Sequence, residues 1–154
     1  MKKTSIASVL VFAVLIVFAS VAIDQTTEKG WEKTVTLPSG EVILDMNGEW
    51  DVLDEFYGPF DFHDFTMSEI VTITHKGAKF AAIKQIGSKW VPKGAETIKG
   101  ELNKDGFKAV YSYTMSLLMD GNFVWEECEW KINENGNKIA LDCGKRTKRK
   151  LTKR

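Results

Sequence analysis

The feature that most constrains the fold is an Asn135-Gly136 pair between two runs of alternating apolar and polar residues. Asn-Gly is the strongest two-residue signal for a β-hairpin, because both residues tolerate the positive φ of a type I′ turn. A hairpin centred there places Trp130 opposite Leu141 and Cys128 opposite Cys143. Directly opposed residues on one face predict a buried side of an antiparallel sheet.

Short runs rich in β-branched and aromatic residues continue along the chain, separated by glycine-containing turns. This pattern is typical of an all-β sandwich or barrel. The candidate strands span residues 48–56, 66–75, 78–86, 95–102, 107–117, 123–132, 138–144 and 147–153. A short hairpin of Thr34–Leu37 and Glu41–Asp45 precedes them.

Two further turns extend the predicted register towards the N-terminus. The Asp120-Gly121 turn pairs Trp130 with Tyr111, and the Asn103–Gly106 turn pairs Ile98 with the same tyrosine. A one-residue slip at any turn would turn the side chains to the other face. The predicted buried face consists of Ile98, Gly100, Leu102, Phe107, Ala109, Tyr111, Tyr113, Met115, Leu117, Val124, Cys128, Trp130, Ile132, Ile139, Leu141 and Cys143.

The charge distribution predicts how the sheet closes. Residues 41–69 contain nine acidic side chains and no Lys or Arg, whereas residues 145–154 contain seven basic side chains and no acid. Pairing the strand around Trp50 with the strand around Leu151 sets opposite charges across one ladder and leaves no open edge. We therefore predict an eight-stranded antiparallel up-and-down barrel. A loose basic tail is the alternative.

The N-terminus carries the pattern of a secretory signal peptide. Lys2 and Lys3 precede the apolar run Ile6–Phe18, and Ser20-Val21-Ala22 supplies small residues for cleavage. We predict a signal peptide over 1–22, an N-terminal extension over 23–47, the barrel over 48–154, and a periplasmic or extracellular location. An uncleaved N-terminal anchor is the alternative.

The cysteine pair follows from the register and the compartment together. Cys128 and Cys143 are the only cysteines, and their predicted opposition on adjacent strands suits a disulfide. Export to an oxidising compartment favours the bond. Two free buried thiols are the alternative.

The sequence holds little material for catalysis or metal binding, with two histidines in the chain. Asp61, His63 and Asp64 supply too few ligands for a zinc or calcium site, and His75 reads as a solvated turn residue. We predict a protein that is not an enzyme and has no cofactor and no metal.

The loops predict where a ligand would bind. The tight turns share one end of the barrel and the long connections share the other, and loops on a rigid barrel commonly carry binding sites. Phe56–Phe65 holds four of the seven phenylalanines that follow the signal segment. Phe60 and Phe62 form either a lid over a cavity or a plug that completes the core.

The predicted inward residues at this loop end combine an apolar wall with a few polar groups, which is typical of small-molecule pockets. Tyr111 and Tyr113 would orient the polar end of a ligand. Two alternatives involve Glu126: an acid/base pair with Glu96, or a cross-strand ion pair with Lys145. The predicted ligand-binding residues are Tyr111, Tyr113, Glu96, Glu126, Met115, Val124, Phe60, Phe62 and Trp90.

Asn47-Gly48-Glu49-Trp50, at the start of the first barrel strand, resembles the Gly-x-Trp that opens lipocalins. Arg154 or Arg149 is similar to the late arginine that packs on this tryptophan in the family, although the chain has no Thr-Asp-Tyr motif. The resemblance implies a lipocalin-like (calycin-type) barrel that binds small hydrophobic molecules inside.

The predicted function is therefore an exported protein that holds a small, largely apolar ligand, hydrophobic or amphipathic, at the loop end of a β-barrel. The alternative is an envelope or extracellular protein-interaction module with no internal ligand and an unknown protein partner. The basic run Lys145–Lys150 leaves contact with a membrane surface open. Export argues against a nucleic-acid partner.

Overall fold

The computed structural model describes residues 29–57, 65–88, 90–115, 123–144 and 147–154, and every side chain within them except those of Phe65 and Met115. These residues form ten strands and no helix, so no helix among them could cross a membrane. The strands are β1 (Thr34–Thr36), β2 (Val42–Leu44), β3 (Gly48–Phe56), β4 (Phe65–Lys76), β5 (Lys79–Lys84), β6 (Glu96–Asn103), β7 (Gly106–Met115), β8 (Phe123–Ile132), β9 (Lys138–Cys143) and β10 (Thr147–Lys153).

Strands β3 to β10 form a closed, all-antiparallel, eight-stranded barrel, which confirms the predicted architecture. Strand β10 closes it against β3, with Leu151 opposite Val52. Lys150 pairs with Glu55 on the outer face of this ladder, and Arg154 Nε lies 3.0 Å from an Asp51 carboxylate oxygen. The basic C-terminal run is thus the last barrel strand, and its charges meet the acidic first strand as predicted.

The β8–β9 hairpin has the predicted register. Trp130 lies opposite Leu141 and Cys128 opposite Cys143, and Gly136 has a φ of 73° in the turn. A disulfide joins Cys128 to Cys143, and the described residues contain no free cysteine. Both predictions are confirmed.

Strands β6 and β7 contain an irregularity that the turn analysis did not predict. Leu102 pairs with Phe107 as expected, but the register then shifts, so that Gly100 pairs with Val110 instead of Ala109. A Cβ atom on Gly100 would lie 2.4 Å from the carbonyl oxygen of Ala109, so the close approach at this bulge requires glycine. Because of this extra residue, the side chains of β7 that follow it point to the opposite face from the one predicted.

The β7–β8 register is also different from the prediction. Tyr111 pairs with Glu127 and Tyr113 with Trp125, instead of Trp130 and Cys128. The connection 116–122, which contains the predicted Asp120-Gly121 turn, lies outside the described residues. The placement of Ala109, Tyr111 and Tyr113 on the buried face is therefore wrong. The inward members of β7 beyond the bulge are Val110, Ser112 and Thr114, all buried.

The predicted N-terminal hairpin forms as β1 and β2, and it closes the tight-turn end of the barrel. Trp31, Ile43, Leu44 and Met46 are buried in the main core. The Met46 amide donates to His75 Nε2 at 2.9 Å. His75 is therefore a half-buried acceptor for this hairpin, not a solvated turn residue, and desolvation lowers its pKa.

Trp50 anchors the same end. Its side chain is fully buried, and its indole Nε1 donates to the Met46 carbonyl at 2.8 Å. The cation over the indole is the ammonium of Lys153, 5.5 Å from the ring centroid. The expectation of an arginine there is wrong, because Arg154 pairs with acids on the outer surface and Arg149 lies inside the barrel, at the other end.

Candidate functional site

Three predicted ligand-binding residues lie on the outer face of the barrel. Tyr111 and Tyr113 alternate along β7 with the fully buried Ser112, so their rings point away from the interior. The Glu96 carboxylate lies 3.9 Å from the Lys99 ammonium, and both side chains are exposed. The prediction that these three face inward is wrong, because register shifts beside β6 place them outside.

Glu126 does face inward, opposite Ser112, and accepts a hydrogen bond from Thr114 Oγ1 at 3.3 Å. Glu96 and Glu126 therefore lie on opposite faces of the barrel wall and cannot act as an acid/base pair. Lys145 is outside the described residues, so its pairing with Glu126 stays a prediction.

Two of the remaining predicted residues, Val124 and Trp90, lie at the rim. Val124 is 38% exposed and Trp90 is 57% exposed. Phe60 and Phe62 lie outside the described residues, as do Asp61, His63 and Asp64, and the side chain of Met115 is not described. The lid over the barrel mouth therefore stays a prediction.

Below the rim, the interior holds a cluster of four ionisable side chains that the sequence analysis did not assign to a site. Asp54, Glu69, Lys84 and Arg149 are each at most 6% exposed, and we call them the interior quartet. Arg149 Nε lies 3.2 Å from Asp54 Oδ1, and its Nη1 lies 3.3 Å from Glu69 Oε1. The Lys84 ammonium donates to Glu69 Oε2, and Arg149 Nη2 donates to the Tyr113 carbonyl at 3.2 Å. Two acids and two bases balance, which lowers the cost of burying them.

Strand periodicity places the quartet inside the barrel. Side chains two positions apart share a face, and each quartet member lies two positions from a buried apolar residue of its own strand. Those apolar neighbours are Val52, Val71, Ala82 and Leu151. The interior is thus apolar towards the tight turns and charged towards the loops.

Asp54 is the least satisfied member of the quartet. Neither carboxylate oxygen makes a hydrogen bond to any described residue, because the 3.2 Å contact with Arg149 has ion-pair but not hydrogen-bond geometry. Desolvation raises the pKa of Asp54 from 3.8 to about 6, against the lowering effect of Arg149. The hydroxyl of Thr97, 2% exposed, also has no partner among the described residues.

A cavity of about 70 Å³ adjoins the quartet. The four quartet residues and Thr97 line it together with Ser88, Tyr113 and an apolar wall. The wall consists of Phe56, Met67, Trp90, Val91 and Phe123. Since one water occupies roughly 30 Å³ in the liquid, the cavity accommodates a small polar group and not a whole drug-sized molecule.

A larger hollow of about 610 Å³ adjoins this cavity and shares Met67, Glu69, Lys84 and Ser88 with its lining. It runs along the outward residues of β3 and β4, including Leu53 and Ile70, and reaches the exposed Ile86. This hollow is more open to solvent than the cavity beside the quartet. It therefore lacks the enclosure that small-molecule sites generally have.

An aromatic row crosses the outer surface of β7 and β8 and reaches the rim at Phe123, which also borders the 70 Å³ cavity. The Tyr113 ring stacks on Phe123 at 5.2 Å and contacts Trp125 at 5.3 Å between centroids. The Lys99 ammonium lies 3.9 Å from the Trp125 ring centroid, within cation–π range. Tyr113 also borders the 70 Å³ cavity, where its backbone carbonyl accepts a hydrogen bond from Arg149.

The described ranges contain no group of three or more His, Cys, Asp or Glu side chains that could hold a metal ion. In comparisons with known proteins, no family model matches the chain, and neither the curated proteins nor the solved structures give a match.

The Asp54 carboxyl predicts an unusual pH dependence of stability. Because its pKa is raised to about 6 in the folded state, the folded protein binds this proton more tightly than the unfolded chain. The carboxyl of Asp54 therefore makes its most favourable contribution to the free energy of unfolding below about pH 4. This contribution decreases as the pH rises to about 6, by roughly 3 kcal/mol in total. His75 acts in the opposite direction, since its lowered pKa costs stability as the pH falls.

Urea unfolding of the wild type and Asp54→Asn at pH 4, 5, 6 and 7.5 isolates this contribution. The stability of Asp54→Asn relative to the wild type should increase by roughly 3 kcal/mol over this range. Asp142→Asn, on the outer face, is the matched control and should show no such trend. A pH-independent difference for Asp54→Asn would contradict the raised pKa.

Proposed function

We propose that this protein is an exported, lipocalin-like β-barrel that binds a small amphipathic molecule at its loop end. The polar end of the ligand would enter the cavity above the interior quartet. The apolar body would lie at the mouth, among the aromatic side chains of the rim.

The observation that carries this proposal is the pairing of a charged floor with an apolar wall around one internal cavity. Burying four ionisable groups costs several kcal/mol per ion before pairing, so a barrel selected only for stability would favour an apolar core. Asp54, Thr97 and Arg149 line this cavity, and both Asp54 oxygens, Thr97 Oγ1 and Arg149 Nε have no hydrogen-bond partner among the described residues. Convergent polar groups against an apolar wall are typical of ligand sites.

The volume of the cavity limits how much of the proposed ligand can enter the barrel. About 70 Å³ holds a polar head group only. Phe56, Trp90 and Phe123 extend the apolar wall towards the loops, and Trp90 is largely exposed. The sequence analysis favoured a largely apolar ligand; the charged floor shifts the proposal to an amphipathic one.

Export rests on two features. The first 22 residues have the pattern of a signal peptide, and the Cys128–Cys143 disulfide suits an oxidising compartment such as the periplasm or the extracellular space.

Titration with the neutral fluorescent probe N-phenyl-1-naphthylamine tests the proposal. We expect saturable binding with one site per chain. Val91→Phe, which fills the cavity beside the quartet, should weaken binding at least tenfold, because the probe loses access to the interior wall. Native mass spectrometry of protein from its own compartment should also show a bound small molecule that denaturation releases.

Leu53→Phe is the matched control, because Leu53 faces outward on β3, is 37% exposed and is not among the residues that line the cavity. It should leave probe affinity unchanged. If Leu53→Phe weakens binding and Val91→Phe does not, the ligand lies outside the barrel. If the probe does not bind and no small molecule co-purifies, the proposal is wrong.

The aromatic row favours one second candidate, an extracellular protein-interaction module. Tyr113, Phe123 and Trp125 present ring surface on the outside of the barrel, and aromatic residues are enriched at interfaces. In that case Trp125→Ala would abolish capture of a partner from the native compartment, whereas Val91→Phe would have no effect.

A further inference from the structure

We propose that β4 carries a second binding site, where an extended, uncharged peptide segment of a partner protein adds as a strand beside the part of β4 that β5 does not cover. This inference goes beyond the small-molecule binding proposed above and does not depend on it. It follows from the unequal lengths of β4 and β5.

Strand β4 extends further towards the loop end than β5. Strand β3 pairs with β4 as far as Phe65, but β5 pairs with it only as far as Val71. One further backbone bond follows, from the Gln85 amide to the Ile70 carbonyl. Among the described residues, no strand pairs with this side of β4 at positions 65–69, which we call the free edge.

Alternation along β4 shows which backbone groups lie on the free edge. In an antiparallel strand, the N–H and C=O groups of one residue point to one neighbour and those of the next residue to the other. Since Ile70 directs its carbonyl to the β5 side, Ser68 and Thr66 direct their backbone groups to the same side. Met67 and Glu69 direct theirs to β3. The free edge thus offers donors and acceptors in the pattern that an added peptide strand uses.

The barrel wall has a gap in the position that the added strand would take. The hollow of about 610 Å³ adjoins the cavity beside the quartet here, and Met67, Lys84 and Ser88 line both. Lys84 is the last residue of β5. A strand placed beside the free edge would therefore continue the line of β5 in the sheet.

The charges around this gap are already paired within the protein. Four ionisable residues line the hollow. Glu69 and Lys84 pair with each other, whereas Asp51 and Lys150 each form an ion pair at the barrel surface. A charged partner strand would find no unpaired counter-charge among them. Ile86, which lines the same hollow, is 60% exposed and favours an apolar side chain opposite it.

The probe is the neutral hexapeptide acetyl-Thr-Val-Thr-Val-Thr-Val-amide, titrated calorimetrically. We expect saturable binding with one peptide per chain. The same peptide with N-methylated amides lacks backbone donors and should bind at least tenfold more weakly. A version with glutamate in place of each valine should also bind at least tenfold more weakly, because its charges would have no counter-charge.

Ser68→Pro tests the free edge directly. Proline removes the N–H of this residue, which points away from β3, so the ladder between β3 and β4 keeps its bonds. Peptide affinity should fall at least tenfold. Ser68→Ala keeps the backbone donor, and this matched control should bind the peptide within twofold of the wild type.

Amide hydrogen exchange of the wild type needs no variant. Bound peptide should slow the exchange of Ser68 and Thr66, whose N–H groups lie on the free edge. Met67 and Glu69 are the internal controls, since their amides face β3, and their exchange should change little.

The inference is wrong if the hexapeptide does not bind, or if it binds without slowing exchange at Ser68 and Thr66, because it then docks through side chains. It is also wrong if the protein alone forms a dimer that Ser68→Pro dissociates, because a second copy then occupies the free edge. The naphthylamine titration tests the proposed function separately, so either proposal can fail while the other stands.

Discussion

Arg149→Met is expected to destabilise the barrel by about 3–5 kcal/mol at pH 7.5, because removing one partner of a buried ion pair leaves uncompensated charge. Arg149 is 4% exposed and contacts the carboxylates of both Asp54 and Glu69. Its loss leaves two acids facing a single remaining cation, Lys84. The measurement is the free energy of unfolding from urea titration.

Two controls separate the lost charge from lost packing. Lys150→Met, one residue along β10, changes an outward side chain that pairs with Glu55, and it should destabilise the barrel much less than Arg149→Met. Replacing the whole quartet together, with Asp54→Leu, Glu69→Leu, Lys84→Met and Arg149→Met, should be far less destabilising than Arg149→Met alone. If the fourfold variant is less stable than Arg149→Met, the quartet contributes more to the stability of the fold than the pairing of its own charges.

Much of the barrel could be predicted because its local signals agree with one another. Asn135-Gly136 sets the register of β8 and β9, and alternation then determines their inward faces. The separation of acidic and basic segments predicts closure of β3 on β10. Each of these signals is carried by the same residues that form the strand pairing it predicts.

The register of β7 could not be predicted, because a bulge has no reliable local signal in a single sequence. The extra residue near Lys108 lets both Phe107 and Val110 face inward, although they are three positions apart. Gly100 was the available clue, since a glycine inside a strand often marks a bulge or a close backbone approach. The outward placement of Tyr111 and Tyr113 follows from the one extra residue of the bulge.

The interior quartet was missed for a different reason. The quartet lies on β3, β4, β5 and β10, whereas the buried face predicted from the turns covers only β6 to β9. The alternation itself continues from Val52 to Asp54 and from Leu151 to Arg149, and it predicts an inward position for both charges. That the opposite charges meet depends on barrel closure, which brings β10, β3 and β4 side by side.

The second large effect is expected at the disulfide. The Cys128→Ala/Cys143→Ala double variant should lose about 3 kcal/mol of stability, the chain-entropy value for a closed loop of about 15 residues. Both cysteines are buried in the core between β8 and β9, so the bond also secures the wall nearest Glu126. Urea unfolding without reductant measures the difference.

Reductant provides the matched comparison, because dithiothreitol during unfolding acts on the disulfide alone. It should shift the wild-type midpoint towards that of the double variant and leave the variant's midpoint unchanged. Thiol titration of denatured, unreduced protein from its native compartment should find no free thiol. Two titratable thiols there, or a reductant shift in the double variant, would contradict the assignment of the stability to this bond.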